Sequence, residues 1–136
     1  MSGAITLRIP HQPPYHGVAR LVVGGLAARL DVSFEQLEDL LLALASVLED
    51  GRYVVDPEVT VELELGDDAL TLRVGPVDSK RLSFDLDDES TDRIGLGRLL
   101  GTLVEDVSVE SRSDGDWLRL EKRVRLVRPK GSHGTA

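Results

Sequence analysis

The segment from Glu58 to Pro76, EVTVELELGDDALTLRVGP, constrains the fold more than any other part of the sequence. Apolar residues alternate with polar ones on both sides of Gly66-Asp67-Asp68, which predicts a β-hairpin that turns at those residues. One face of this hairpin is apolar and consists of Val59, Val61, Leu63, Leu65, Leu70, Leu72 and Val74. A sheet with one apolar face needs a covering layer, so we expect helices to pack on that side.

Two helices are predicted before the hairpin. Residues Val18 to Leu30 have apolar positions at helical spacing, although Gly24 and Gly25 each weaken a helix by about 1 kcal/mol relative to alanine. Such a glycine pair indicates that another element packs closely there. The next helix begins at Ser33, where SFEQ forms a capping box with Gln36. Its continuation, LEDLLLALASVL, is apolar on nearly every face, so we expect it to be buried on several sides or to contact a partner.

The remaining segments complete an α+β pattern. A strand is predicted from Ala4 to Pro10, a third helix from Gly97 to Glu105, and a closing hairpin that turns at Asp114-Gly115. The polar, acidic stretch at 77–92 is interpreted as a mobile loop or lid. The order β-α-α-β-β-α-β-β predicts a two-layer α+β sandwich, with a mixed, mostly antiparallel sheet and helices on one face. We expect one domain at 1–127 and a disordered tail at 128–136.

Composition narrows the classes of function. The chain has 136 residues, no cysteine and a formal net charge of −8, with 24 acidic against 16 basic residues. Without cysteine there is no disulfide framework, thiolate nucleophile or thiolate metal site. An acidic chain favours a basic protein surface over nucleic acid as its partner. The sequence has no apolar run long enough to cross a membrane and no signal-peptide pattern, so we expect a cytoplasmic protein.

Histidines and carboxylates raise the question of a metal site. His11 and His16 lie near a proline turn at a spacing that suggests metal binding, but no third ligand is evident. We therefore expect both histidines to be solvated loop residues. The acidic run from Asp85 to Asp92 matches a calcium loop only in composition and lacks its spacing, which indicates a solvated loop.

A glycine pair, Gly95 and Gly97, lies at the start of the third predicted helix, in DRIGLGRLLGTLVEDV. Backbone N–H groups at a helix N-terminus, together with the helix dipole, favour anions. Gly95 and Gly97 would allow a phosphate to approach closely, and Arg98 would add positive charge. The alternative is a loop that needs two flexible residues, and the local sequence leaves both interpretations open.

Taken in order, these segments resemble the GHKL-type ATPase domain, and most closely the bacterial anti-sigma-factor serine kinases. The resemblance extends from Ile5 to Val124. ITLRIP and YHGVARLVVGGLAARL resemble the first strand and helix of these kinases, and EDLLLALASVLEDG aligns without gaps on their helical N box. GLGRLLGTLVEDVSVE resembles their last glycine motif and helix, and DGDWLRLEKRV their closing hairpin. The resemblance implies the GHKL fold.

Several positions depart from the family pattern. Ser46 stands where these kinases carry the Glu that activates the attacking hydroxyl, and Asp50 where they carry the Asn that holds magnesium. VGPVD replaces the Asp-x-Gly-x-Gly stretch that reads adenine, which puts Val74 at the adenine position and leaves Gly75 as the surviving glycine. Serine is no general base near neutral pH, and valine has no polar group for adenine. Asp50 is either a magnesium ligand or a plain residue at a helix end.

Three functions follow as hypotheses. The first is a regulatory protein-binding module, a degenerate relative of the kinases that needs neither ATP nor magnesium. Its implied partners are a sigma factor, a STAS-type antagonist or a related ATPase-like subunit. The second is an active ATP-dependent serine kinase and anti-sigma factor, whose nucleotide and metal would be held by Asp50, Gly75, Gly95, Gly97 and Arg98. The third is an unrelated structural α+β domain.

The resemblance also implies an assembly. Family members dimerise through the sheet edge and the first helix, and here that region holds ITLRIP and the glycine pair Gly24-Gly25. Edge strands with unpaired backbone groups tend to be paired or protected. We therefore expect a homodimer, or a heterodimer with a related subunit.

Overall fold

Five strands form one sheet in the computed structural model, which describes residues 3–29, 32–49, 53–87 and 95–124. The elements in chain order are β1 Gly3–Pro10, α1 Pro13–Arg29, α2 Phe34–Leu48, β2 Glu58–Leu65, β3 Ala69–Val77, α3 Ser79–Asp87, α4 Leu96–Leu103, β4 Asp106–Arg112 and β5 Gly115–Arg123. The strands lie in the order β1-β2-β3-β5-β4, and every pairing among them is antiparallel. The two-layer α+β prediction is confirmed, while the mixed sheet is corrected to an antiparallel one.

The apolar face of the β2–β3 hairpin lies in the core, as its alternation predicts. Residues of both strands on this face are almost completely buried: Val59, Val61, Leu63, Leu70, Leu72 and Val74. Helix α2 packs over them with Leu40, Ala43, Leu44, Val47 and Leu48, all fully buried. The turn between the strands falls at Gly66, Asp67 and Asp68, so the predicted hairpin is confirmed. The second hairpin is confirmed as well, with Gly115 at a φ of +130°, a conformation that favours glycine.

The predicted cap of α2 is present. The Ser33 hydroxyl oxygen accepts a hydrogen bond of 3.3 Å from the Gln36 backbone N–H and donates one of 2.9 Å to the Gln36 side-chain oxygen. The Gln36 side-chain nitrogen donates to the Arg123 carbonyl oxygen at 3.0 Å, so it fixes the start of α2 to the end of β5. The capping box therefore acts across the two layers as well as within the helix.

A helix replaces part of the loop or lid predicted at 77–92. Helix α3 buries Leu82 completely, and Leu86 packs against the core one turn later. The Asp78 carboxylate accepts a hydrogen bond of 3.2 Å from the Arg81 backbone N–H, as an N-terminal cap does. Two leucines four residues apart reach the core and a cap supports the first turn, so the loop prediction is wrong for residues 79–87, while 88–92 lie outside the described residues.

Helix α1 begins five residues earlier than its periodicity predicts. Pro13 and Pro14 form its first turn, where proline is tolerated because the missing N–H has no helical partner there. As a result, His16 lies within the helix and is 5% exposed, which corrects the expectation of a solvated loop histidine. Of the glycine pair, Gly24 has a Leu41 methyl 3.6 Å from where a Cβ would stand, whereas Gly25 has nothing within 4 Å. The expected close approach is thus confined to Gly24.

The other face of the sheet carries a lattice of ion pairs. Glu110 on β4 accepts from Arg73 at 3.1 Å and lies 3.5 Å from Arg112 and 3.7 Å from Arg119. Arg112 reaches across to β2, where it forms two hydrogen bonds of 3.0 Å to the Glu62 carboxylate. Charged side chains from β2, β3, β4 and β5 therefore pair with one another across the strands, and the helical layer leaves this face open.

None of the described helices is both long and apolar enough to cross a membrane.

Candidate functional site

Ser46 lies on the last turns of α2, at the position where the resemblance expects a catalytic carboxylate. Its hydroxyl donates a hydrogen bond of 2.8 Å to the carbonyl oxygen of Leu42, one turn earlier in the same helix. The hydroxyl proton is therefore engaged in a hydrogen bond within the helix, which is a common arrangement for serine in a helical turn. The side chain at position 46 cannot accept a proton from a substrate hydroxyl near neutral pH. Asp50, the predicted magnesium or helix-end residue, lies outside the described residues.

Val74 is a fully buried strand residue, as its alternation predicts. Its partners are Val61 on β2 and Leu118 on β5, and all three side chains belong to the apolar core. A valine in this environment offers no hydrogen bond to the amino group of adenine, the contact that gives such sites their specificity.

Gly75 leaves room for the Trp117 indole, which packs against it on the open face of the sheet. A Cβ at position 75 would overlap the indole ring, with the Trp117 Cγ only 2.6 Å away. The indole is held further by a hydrogen bond of 2.9 Å from its Nε1 to the Asp114 carboxylate, and the Arg112 guanidinium stacks 4.1 Å from the ring centre. Packing against Trp117 therefore explains why position 75 is a glycine, without a role in nucleotide binding.

Helix α4 starts at the glycine pair, and one side of its first turn contacts the end of α3. Gly95 is the N-cap in an extended conformation and provides no side-chain cap. A Cβ at Gly97 would overlap the carbonyl oxygen of Leu86 and come within 2.9 Å of its carbonyl carbon. The end of α3 thus packs against the first turn of α4 on the side where a Gly97 side chain would stand. Arg98, the predicted cation of the cradle, is exposed.

Helix α3 is fixed in this position by the segment before β2. The Tyr53 hydroxyl donates a hydrogen bond of 2.6 Å to the Asp85 carboxylate, and the ring of Tyr53 is buried. The Tyr53 carbonyl oxygen accepts from the Asp78 backbone N–H at 2.7 Å. Two hydrogen bonds and the buried Leu82 therefore hold both ends of α3, and with it the Leu86 carbonyl against Gly97.

Two of these positions lack the polar groups that the kinase pattern uses for Mg-ATP. In the part of the chain that the structure describes, a serine stands at the position of the family's catalytic carboxylate, a buried valine stands at the adenine position that the resemblance implies, and Gly97 packs against the Leu86 carbonyl oxygen. No group of three or more metal-ligating side chains occurs within residues 3–29, 32–49, 53–87 and 95–124. Gly75, Gly95 and Gly97 are accounted for by packing and by the start of a helix.

Lys122 is a buried polar residue that the sequence reasoning missed. Its Nζ donates to the Leu103 carbonyl oxygen at the end of α4 at 2.8 Å and to the Asp39 carboxylate on α2 at 3.2 Å. It therefore ties α2 to the end of α4. The signal was available in LRLEK, where Lys122 occupies the inward register of Leu118 and Leu120.

A five-stranded antiparallel sheet, with helices packed on one face and a helical N box in α2, defines the class of GHKL-type ATPase-like domains. No family model matches the chain. The serine-protein kinase RsbW of Listeria innocua is 33% identical over 129 residues, which cover 80% of each chain. RsbW of Bacillus pumilus is 31% identical over 128 residues, with 80% of this chain and 79% of the relative covered. The chain therefore belongs to the RsbW family of anti-sigma-factor serine-protein kinases.

A solved structure agrees with this fold. The crystal structure of the RsbU and RsbW domains of Rv1364c from Mycobacterium tuberculosis superposes with a TM-score of 0.64 at 15% sequence identity. The match covers 93% of this chain and 33% of that longer chain. The α+β sandwich of the sequence prediction is thus found in a solved protein of the same architecture.

Proposed function

We propose that this chain is a regulatory member of the RsbW family that acts by binding a protein partner, without transferring phosphate. The observation that carries the proposal is the Ser46 hydroxyl, which donates to the Leu42 carbonyl oxygen at the position of the family's catalytic carboxylate. Family membership supports the class of partner: a sigma factor, a STAS-type antagonist or a related ATPase-like subunit.

Two further features support a function that does not depend on nucleotide. Val74 is buried among core side chains, and the Leu86 carbonyl oxygen covers Gly97 at the start of α4. Val74 offers no polar group to adenine, and the contact with Leu86 gives Gly97 a packing role that needs no nucleotide. We infer that neither ATP nor magnesium takes part in the function.

An uncovered apolar surface supports protein binding. A groove of about 470 Å³ runs between α1 and α2, with Leu21 and Leu42 on opposite sides, 76% and 52% exposed. Arg20 and Glu38 lie along the same groove and supply one charge of each sign. Exposed apolar side chains with charged neighbours are typical of a protein interaction surface.

We expect no phosphate transfer from the purified protein to a STAS-type antagonist, because no group at position 46 can take the proton of the attacking hydroxyl. The measurement is incorporation of labelled phosphate from Mg-ATP, with an RsbW kinase of Bacillus subtilis as the positive control. The melting temperature, read with and without millimolar Mg-ATP, reports binding separately, because a ligand stabilises a fold by mass action.

The active kinase is the second candidate, favoured by the name of the relatives. Transfer that requires ATP and persists in Ser46→Ala would overturn the proposal and assign the base to another residue. The melting temperature could instead rise with Mg-ATP but not with Mg-GTP, while no phosphate is transferred. This result would contradict the inference that no nucleotide binds, but it would be compatible with a role in partner binding. Partner binding is read by mixing the protein with a sigma factor in the absence of ATP.

Association is a further expected outcome. Strand β1 lies at the edge of the sheet and Leu21 is exposed on α1, so both parts of the expected contact are accessible. Light scattering at micromolar concentration should give about twice the 14.8 kDa chain mass. Leu21→Glu should shift the protein toward the monomer, whereas Ala28→Glu, on an exposed position of the same helix, should not.

Light scattering of the wild type distinguishes a homodimer from a heterodimer, and light scattering of the two variants tests whether α1 takes part in the contact. A 14.8 kDa species at every concentration, with no partner added, would exclude the homodimer and leave the heterodimer. Equal effects of Leu21→Glu and Ala28→Glu would remove α1 from the contact.

A further inference from the structure

Two histidines meet where the start of α1 packs against the end of α2. The ring centres of His11 and His16 are 5.1 Å apart, with an angle of 32° between the planes. The His11 Nε2 lies 3.3 Å from the carbonyl oxygen of Leu48, the last residue of α2. His16 is 5% exposed, and its Nε2 has no hydrogen-bond partner among the residues that the structure describes. One histidine therefore caps α2, while the other is enclosed beside it.

The enclosed ring is suited to the neutral form. A charged imidazolium has two N–H donors, and burying it without partners for both is costly. The neutral ring can instead leave Nε2 unprotonated. Burying this nitrogen without a partner costs less free energy than burying a charged ring. The short distance to the tilted His11 ring also suits a neutral His16, since two imidazolium ions at 5.1 Å would repel each other.

The charged groups around His16 come from three elements. His11 belongs to the connection between β1 and α1, Arg20 lies one turn further along α1, and Glu49 is the C-cap of α2. Burial lowers the pKa of His16 below 6.5, and the neighbouring His11 and Arg20 lower it further, while Glu49 opposes them. Arg20 and Glu49 are 3.9 Å apart and exposed, so solvent screens their influence.

We propose that the His11–His16 pair is an acid-sensitive latch between α1 and α2, which holds the helices together while His16 is neutral and opens when His16 is protonated. Opening would give the buried Nε2 access to water and separate the imidazolium from His11. The first turn of α1 and the last turn of α2 would part. These helices form the walls of the groove between Leu21 and Leu42, so the shape of that surface would depend on pH. The latch does not rest on the proposed function.

The sign of the pH effect follows from linkage. Because the pKa of His16 is lower in the folded protein than the ordinary 6.5, the unfolded chain binds more protons below that pH. The stability that His16 contributes is present above pH 6.5. It is lost as the pH falls below 6.5 toward the folded pKa.

The test is an NMR titration of the full chain between pH 8 and pH 5, with His133→Gln used to identify the third histidine signal. We expect a His16 midpoint below 6.5 that rises in His11→Asn, where the facing imidazole is removed. Amide exchange at the start of α1 and the end of α2 should accelerate over the same range, relative to exchange in β3 and β5. A midpoint at or above 6.5, or a midpoint unchanged in His11→Asn, would overturn the latch.

Stability supplies a second readout. The urea midpoint of the wild-type protein should fall between pH 7 and pH 5 by more than that of His16→Phe, which packs a ring that cannot be protonated. His133→Gln is the control, and its pH dependence should match the wild type. Equal losses in His16→Phe and the wild type would contradict the proposal. If His16→Phe does not fold, the midpoints in the wild type and in His11→Asn decide.

Discussion

Gly97→Ala is expected to lower the free energy of unfolding by about 2 kcal/mol, the cost of forcing an extra methyl group into a packed site. The methyl group would overlap the carbonyl oxygen of Leu86, which is backbone and cannot turn aside as a side chain would. Relief therefore requires α3 or the start of α4 to move. The measurement is chemical denaturation of the wild type and the variant under the same conditions.

The same helix offers a matched control. Gly101 is exposed, and no atom of the described residues lies within 4 Å of where a Cβ would stand, so Gly101→Ala should raise the free energy of unfolding by up to about 1 kcal/mol. Effects of opposite sign would establish that Gly97 is required by the contact with Leu86 and not by helix propensity. If Gly97→Ala is as stable as the wild type, α3 gives way readily, and the first turn of α4 is more open to an anion than this packing indicates.

Lys122→Met should also cost about 2 kcal/mol, because it removes the donor to a carbonyl that stays buried. The methionine would occupy nearly the same space, so the loss would come from the hydrogen bond to the Leu103 carbonyl oxygen and from the pairing with Asp39. The effect should appear in the denaturation midpoint and as faster amide exchange at the end of α4.

The partner of Lys122 separates the two contributions. Asp39 is 43% exposed at its side chain, so Asp39→Asn should cost less than about 1 kcal/mol, as exposed ion pairs do. A larger loss in Asp39→Asn than in Lys122→Met would place the main contribution in the ion pair. Arg123→Met, which alters the exposed neighbour on the same strand, is the control for loss of a positive charge.

The sequence predicted the elements whose periodicity is strong. The hairpins at Gly66 and Gly115 and the buried helix after Ser33 each combine a clear alternation with a specific turn or cap, and all are confirmed. Helix α3 was missed because only Leu82 and Leu86 carry its apolar period in a polar stretch. The start of α1 was missed because Pro13-Pro14 was interpreted as a break, although proline fits the first turn of a helix.

The sequence predicts which positions correspond to the family's site, but it does not predict what the side chains at those positions contact. Aligning the chain with the family pattern located Ser46 and Val74, and the structure adds what each one touches. The closure of Gly97 by Leu86 joins residues eleven positions apart through the packing of α3 on α4, which no local spacing encodes. Burial of His16 likewise depends on contact between helices. Asp50 keeps its two interpretations because it lies outside the described residues.

The ion pairs on the open face of the sheet fit one alignment of β4 on β5, the one that the turn between these strands sets. Because strand side chains alternate with a period of two, moving β4 by two residues along β5 would keep Val107 and Val109 on the apolar side. The same movement would carry Glu110 about 7 Å along the strand, away from Arg73 and Arg119. Burial therefore decides which face turns inward, the two-residue turn between Arg112 and Gly115 fixes the offset, and the ion pairs add stability to that offset.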